Sequence, residues 1–166
     1  MTEVVVADAG PLIGLARIGY LELLRQLYDT VAVPPQVVTE LRLSEGRPGS
    51  QVLQAAMDAG WLKEKGLQDG EELWRLSLLV DPGEAEAILL AEQVALRFLL
   101  IDDQRGRQVA TQRGIPVVGT SGVLIIAKRQ NLINEVRPLL ESLSQQGYRL
   151  SRRLRDQILT LANEGP

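Results

Sequence analysis

Residues 98–118, FLLIDDQRGRQVATQRGIPVV, decide how this chain folds. Phe98 to Ile101 is an apolar run of strand length, Gln104 to Arg113 has helical spacing and is closed by Gly114, and Pro116 to Val118 is a second strand. The alternation continues outward. Towards the N-terminus, Val4 to Ala7 and Thr30 to Val33 read as buried strands. Helical patterns follow each, over Leu12 to Ile18 and Leu21 to Tyr28 after the first, and from Pro35 through Val37, Val38 and Leu41 after the second. Leu43 to Gly49 is a polar loop, a further helix ends near Gly60, and Trp61 to Lys65 is a short edge strand. Beyond residue 118, Thr120 caps a helix reaching Arg129, and two more helices span roughly Glu135 to Gln146 and Ser151 to Ala162. Strands alternating with helices imply a parallel sheet with helices on both faces.

Two helix starts carry a stronger local signal. Asp69-Gly-Glu-Glu72 and Asp81-Pro-Gly-Glu84 each place an N-cap acid three residues before a second acid, the pattern of a capping box. They open helices running to about Leu79 and Ala95.

The 166 residues are 45% hydrophobic, enough for one sizeable core. Aromatics make up only 4%, so Leu, Val, Ile and Ala must fill it, and an extended base-stacking platform is excluded. There is no cysteine and no histidine, which removes disulfides, thiol nucleophiles, imidazole bases and the usual zinc sites. The N-terminus lacks an export signal and no apolar run reaches membrane-spanning length, so a cytoplasmic protein is expected. Net charge is −3, unevenly spread: residues 1–96 carry 7 basic and 15 acidic side chains, residues 97–166 carry 11 and 6. A basic flank beside an acidic crevice suits a polyanionic substrate, and solvated helix faces explain the split equally well.

The acids stand where strands stop. Asp8 follows Val4 to Ala7, Asp102 and Asp103 follow Phe98 to Ile101, Glu40 lies on the helix after the second strand, and Glu84 and Glu86 lie in PGEAEAI. In open α/β sheets ligands bind beyond the carboxyl ends of the strands, where these residues would converge. Two carboxylates about 5 Å apart repel by roughly 3 kcal/mol at an effective dielectric near 20, so a cluster requires protonation or a divalent ion. Oxygen-only ligands favour Mg²⁺ or Mn²⁺. Each acid has a plainer role available: Asp8 as an N-cap, Glu40 as an exposed helical residue, Asp102 or Asp103 as a cap or as partner of Arg105 and Arg107. Glu84 and Glu86 cannot share a helix face. Glu84 serves the capping box while Glu86 has no local task, which makes Glu86 the preferred ligand and Glu84 the second choice.

Taken in order, VVVADAGPLIGLARIGYLELL, VAVPPQVVTEL, GEAEAI and FLLIDDQRGR followed by GIPVVGTSGVL resemble the PIN domain, and the IAKRQNLI…VRPLLESL tail resembles a PIN-like branch related to VapC-type toxins. The resemblance implies a PIN-like three-layer α/β/α sandwich with a central, mostly parallel sheet, a core at residues 1–119 and a C-terminal helical extension at 120–166. It implies a ribonuclease with catalytic acids Asp8, Glu40, Glu86 and Asp103 and metal ligands Asp8, Glu86, Asp102 and Asp103 for Mg²⁺ or Mn²⁺. It also implies an RNA substrate, a cognate antitoxin and a homodimer, with no membrane association. One departure stands out, since Gly10 occupies the position where the family usually carries Ser or Thr to support the metal ligands. Thr120 and Ser121 are candidates to compensate. Two rival readings are a non-catalytic binding protein that keeps the fold, and a phospho-acceptor protein using Asp8. The helices Leu21 to Tyr28 and Glu135 to Gln146 have apolar faces suited either to dimerisation or to the core.

Overall fold

The computed structural model describes residues 2–68 and 70–165. In chain order it holds β1 (Val4–Ala7), α1 (Ala9–Arg17), α2 (Glu22–Tyr28), β2 (Val31–Val33), α3 (Pro35–Leu41), α4 (Ser50–Ala59), β3 (Leu62–Glu64) and α5 (Glu71–Ser77). There follow α6 (Pro82–Gln93), β4 (Leu96–Leu100), α7 (Gln104–Gln112), β5 (Val117–Val118), α8 (Thr120–Arg129), α9 (Arg137–Gln145) and α10 (Arg152–Leu161). The five strands form one sheet in the order β3-β2-β1-β4-β5, and every pairing is parallel. Helices cover both faces, giving a three-layer α/β/α sandwich.

The order positions the site. From β1 the chain builds outward on one side through β2 and β3, then returns across β1 to add β4 and β5 on the other, so the strand order reverses between β1 and β4. At such a switch point the connections leave in opposite directions and open a crevice at the carboxyl edge. β1 and β4 are in register there: Ala7 pairs with Leu100, and the Asp8 amide donates to the Leu100 carbonyl at 2.9 Å. Asp8 and the Asp102–Asp103 pair, far apart in sequence, therefore leave adjacent strands side by side.

β1 and β2 are buried on both faces, as runs of Val and Ala without alternation require in a parallel sheet. One continuous apolar cluster includes the strands and the inner faces of α1, α2, α6, α8, α9 and α10. Leu23, Leu24 and Tyr28 of α2 and Leu139, Leu140 and Leu143 of α9 lie inside it, so the two apolar faces that suited dimerisation are occupied by the chain's own core.

Several helix starts differ from expectation for identifiable reasons. The α8 N-cap is Gly119, one residue before Thr120, because the Thr120 hydroxyl is committed elsewhere, as described below. Helix α9 begins at Arg137, placing Pro138 in its first turn where a missing N–H costs nothing. The Asp69 capping box lies outside the described residues. The polar segment before α4 contains a 3-10 turn, Leu43–Glu45. No helix among the described residues is long and apolar enough to cross a membrane.

Candidate active site

Helix N-termini converge at the carboxyl edge of the sheet, and each has an acid beside it. Asp8 occupies the N-cap position of α1, yet its side chain makes no capping hydrogen bond. It is 9% exposed. Burial pushes its carboxyl up to about 7; the Ala9 amide opposes this, and repulsion from Asp81, Glu40 and Asp102 adds to it.

Glu40, in the last turn of α3, directs its carboxylate onto the first turn of α6. A side chain at Gly83 would collide with both of its oxygens, which is why glycine stands there. Its Oε2 is buried and has no hydrogen-bond partner. Burial raises its pKa, and Asp81 and Glu86 raise it further.

The capping box at α6 forms as read from sequence: the Glu84 amide donates to Asp81 Oδ1 at 2.9 Å and the Asp81 amide to Glu84 Oε1 at 3.2 Å. Glu84 does more than cap. It is 4% exposed, shares a hydrogen bond with Asp103, and its Oε2 fills the space above Gly106 that a Cβ would take. Burial, with repulsion from Asp81 and Asp103, holds its carboxyl up at about 8 despite the opposing Asp81 amide.

Glu86 has no local task in its own helix; its task is distant. Its Oε1 accepts the amide of Gln36 at 3.0 Å, supplying α3 with the cap that Pro34 at the N-cap position does not provide. The Asp102–Asp103 pair divides similarly. Asp103 caps its own helix, α7, through the Gly106 amide at 2.9 Å. Asp102 reaches to α8, accepting the Thr120 amide on Oδ1 at 2.7 Å and the Thr120 hydroxyl on Oδ2 at 2.5 Å. The Tyr148 hydroxyl also donates to Asp102 Oδ1, at 3.3 Å.

Arg105 and Arg107 do not neutralise these acids: Arg105 donates to the Leu79 carbonyl at 3.4 Å and Arg107 to the Ile101 carbonyl at 2.8 Å. Among the described residues, none of Asp8, Glu40, Glu84, Glu86, Asp102 and Asp103 takes part in an ion pair. A salt-bridged cluster is thereby removed as an explanation of their clustering. Among the same residues, no three acids lie close enough, as their side chains stand, to hold one ion between them. The donors are nevertheless all oxygens, Asp8 lacks a capping bond, and Glu40 Oε2 has no partner, a set that suits a hard divalent cation in kind. At Gly10 a Cβ would meet nothing within 4 Å, so a hydroxyl is lost there without any steric reason.

Two neighbours of the site were not legible as such. Asp81 reads in the sequence as a helix cap only, yet it repels Asp8, Glu40 and Glu84 alike. Tyr148 sits in the connection after α9 and carries no sequence signal for its contact with Asp102.

No curated protein matches the chain. The PIN-domain family model matches residues 4–164, nearly the whole length, from β1 through α10 to Glu164. With acids gathered at the switch point of a parallel sheet, the match settles the assignment: this chain belongs to the PIN domain family, a nuclease-type fold.

Proposed function

We propose that the chain is a Mg²⁺- or Mn²⁺-dependent endoribonuclease of the toxin kind, acting on RNA in the cytoplasm. The observation that carries this reading is the set of carboxylates without a cationic partner at the crevice, above all the buried Asp8 and Glu84 and the bare, buried Oε2 of Glu40. Folding would gain nothing from keeping such groups out of water, whereas a divalent ion would reverse the sign of each contribution.

Asp8, Glu86 and Asp103 would hold the ion after turning towards it from their present positions, in which Glu86 and Asp103 cap α3 and α7, with Glu40 as the fourth catalytic acid. Asp102, with both oxygens on Thr120, would orient the start of α8. When bound, the ion supplies a low-pKa water as nucleophile for phosphodiester hydrolysis. Glu84 keeps its proton near neutral pH and holds Asp103 by a hydrogen bond, limiting the charge the crevice must carry. Arg105, exposed at the start of α7, is placed to meet the substrate backbone without reading sequence. A cognate antitoxin would set a basic side chain against the acids. A homodimer would need a surface other than α2 or α9, such as the exposed Trp74 and Leu78.

The test is cleavage of mixed RNA. Wild type should cut with Mn²⁺ and stop with chelator, and Asp8→Asn should lose at least about a hundredfold, in line with loss of a group acting on the reacting centre. Equal cutting by Asp8→Asn would exclude the assignment. A second reading, a catalytically silent interaction protein, is favoured by one observation: the missing hydroxyl at Gly10. RNA binding that survives chelation, with no turnover, would support it.

A further inference from the structure

The C-terminal helices flank a half-open cavity of about 390 Å³, bounded by Leu140, Ser144, Gln145, Tyr148 and Leu150. Glu141 of α9 and Arg155 of α10 also line it, and they neutralise each other across it at 3.2 Å. Tyr148 belongs to this cavity and to the crevice at once. Its hydroxyl meets Asp102 Oδ1 at 3.3 Å and also Ser121, and Asp102 is one of the carboxylates that repel Asp8. One tyrosine side chain thus connects the cavity to Asp102, the carboxylate next to Asp103.

We propose that this cavity receives the nucleobase next to the phosphate presented to the acids, so that the C-terminal extension selects which RNA sequence is engaged. The inference rests on the nucleic-acid reading above. Three features favour a base over other ligands. The volume lies near the lower end of small-ligand sites, which run from about 300 to 1,000 Å³, and suits one planar ring system better than a large cofactor. Leu140, Leu150 and Tyr148 offer packing for flat apolar faces, while the Gln145 amide and Ser144 hydroxyl supply donors and acceptors for a polar edge. The Glu141–Arg155 pair leaves the wall without net charge, which suits an uncharged base and disfavours a phosphate. The aromatic-poor composition rules out a row of stacked bases, but one tyrosine suffices for one base.

The experiment is equilibrium binding of a short RNA, in chelator so that no metal-supported cleavage occurs, together with a set in which each base in turn is removed. For wild type, removal of one particular base should weaken binding at least about fivefold, the lower end of what a single stacked base contributes, and removal of the others should have little effect. Ser144→Phe, at an exposed position on α9 and directed at the cavity, should erase that dependence. Tyr148→Ala should erase it too, while Tyr148→Phe, which keeps the ring and drops the contact to Asp102, should retain it. Equal binding of all the abasic forms by wild type, absence of binding of the intact oligonucleotide, or a dependence that persists in Ser144→Phe would each overturn the proposal. A base dependence without any Mn²⁺-supported cleavage would leave the cavity assignment standing and remove the nuclease reading instead.

Discussion

Two parts of the molecule take carboxylates out of water with opposite results. At the carboxyl edge of the sheet, burial drives Asp8 up to about 7 and Glu84 to about 8, and Glu40 keeps an oxygen with no partner. At the far end of the chain Glu164 is half-buried, with little of its side chain in water. Its Oε1 accepts the Arg137 amide at 2.9 Å, and its Oε2 accepts the Val136 amide at 2.6 Å and Lys128 Nζ at 3.1 Å. Burial pushes Glu164 upward, but the two amides and the ammonium outweigh it and hold its pKa below the ordinary value. What separates the regions is depth together with partners, Asp8 lying deeper in the protein than Glu164 and having fewer of them. Glu164 supplies α9 with the cap that Val136 does not provide, and so closes the fold. In the crevice Asp8 makes no capping bond, one Glu40 oxygen has no partner, and the Asp81 amide does not offset the burial of Glu84; carboxylates buried at such a cost to stability mark a site with another purpose.

The largest expected effect tests the crevice through pH. Asp8 retains its proton up to about pH 7 in the folded chain but only to 3.8 when unfolded, so between those values the folded state binds the extra proton and stability falls as pH rises. Glu40 and Glu84, also raised, act in the same direction. In metal-free urea titrations, Asp8 alone should make wild type less stable at pH 8 than at pH 5 by roughly 3 kcal/mol, at about 1.4 kcal/mol per unit of pH up to its folded pKa, and Glu40 and Glu84 should add to this. Asp8→Asn should remove Asp8's share of that slope and leave the share of Glu40 and Glu84. A wild-type profile already flat over this range would show that Asp8 ionises freely and that the contrast with Glu164 does not exist.

Glu164→Ala should act with the opposite pH dependence. Its loss strands two amides and an ammonium, at a cost of about 2 kcal/mol near pH 7. Because the folded pKa is lowered from 4.5, the stabilisation is present above that value and is lost as pH falls through the folded pKa, so variant and wild type should converge in acid. Thermal unfolding at pH 7 and in acid measures this; a difference that widened in acid would contradict it.

The smallest effect sharpens the contrast within one residue. Glu86 both caps α3 and is proposed as a ligand, and the two roles respond differently to substitution. Glu86→Ala should cost about 1 kcal/mol for the lost cap, and Glu86→Gln, which keeps an acceptor for the Gln36 amide, close to nothing. RNA cleavage should be lost in both. Full activity in Glu86→Gln would leave Glu86 with its capping role alone.

The sequence was legible where the physics is local. The Asp81–Glu84 box closes between residues three apart, Pro35 starts α3, and the apolar runs ending at Asp8 and Asp102 are strands. It was not legible where one element caps another. Glu86 reaches Gln36 across 50 residues, Glu164 reaches Val136 across 28, and Asp102 reaches Thr120 across 18. In each case the receiving helix has Pro, Val or Gly at its N-cap, residues that make no side-chain capping bond there. A poor N-cap is thus a signal that an acid must come from elsewhere, although the sequence does not say which. The same blindness made Glu86 look idle and Asp81 look like a cap alone.

By itself, the sequence determined that strands alternate with helices, that acids stand at strand ends, and that no imidazole or thiol shares the work with them. These follow from residue type and short-range periodicity, which act over a turn of helix or a few residues of strand. Only the tertiary structure decided that β4 returns to lie beside β1, that Asp8 and Glu84 lose their water, and Glu40 part of its water, without gaining a cation, and that Tyr148 from the tail reaches Asp102. Desolvation and long-range capping depend on which surfaces meet, and that is set by packing the whole chain around one core.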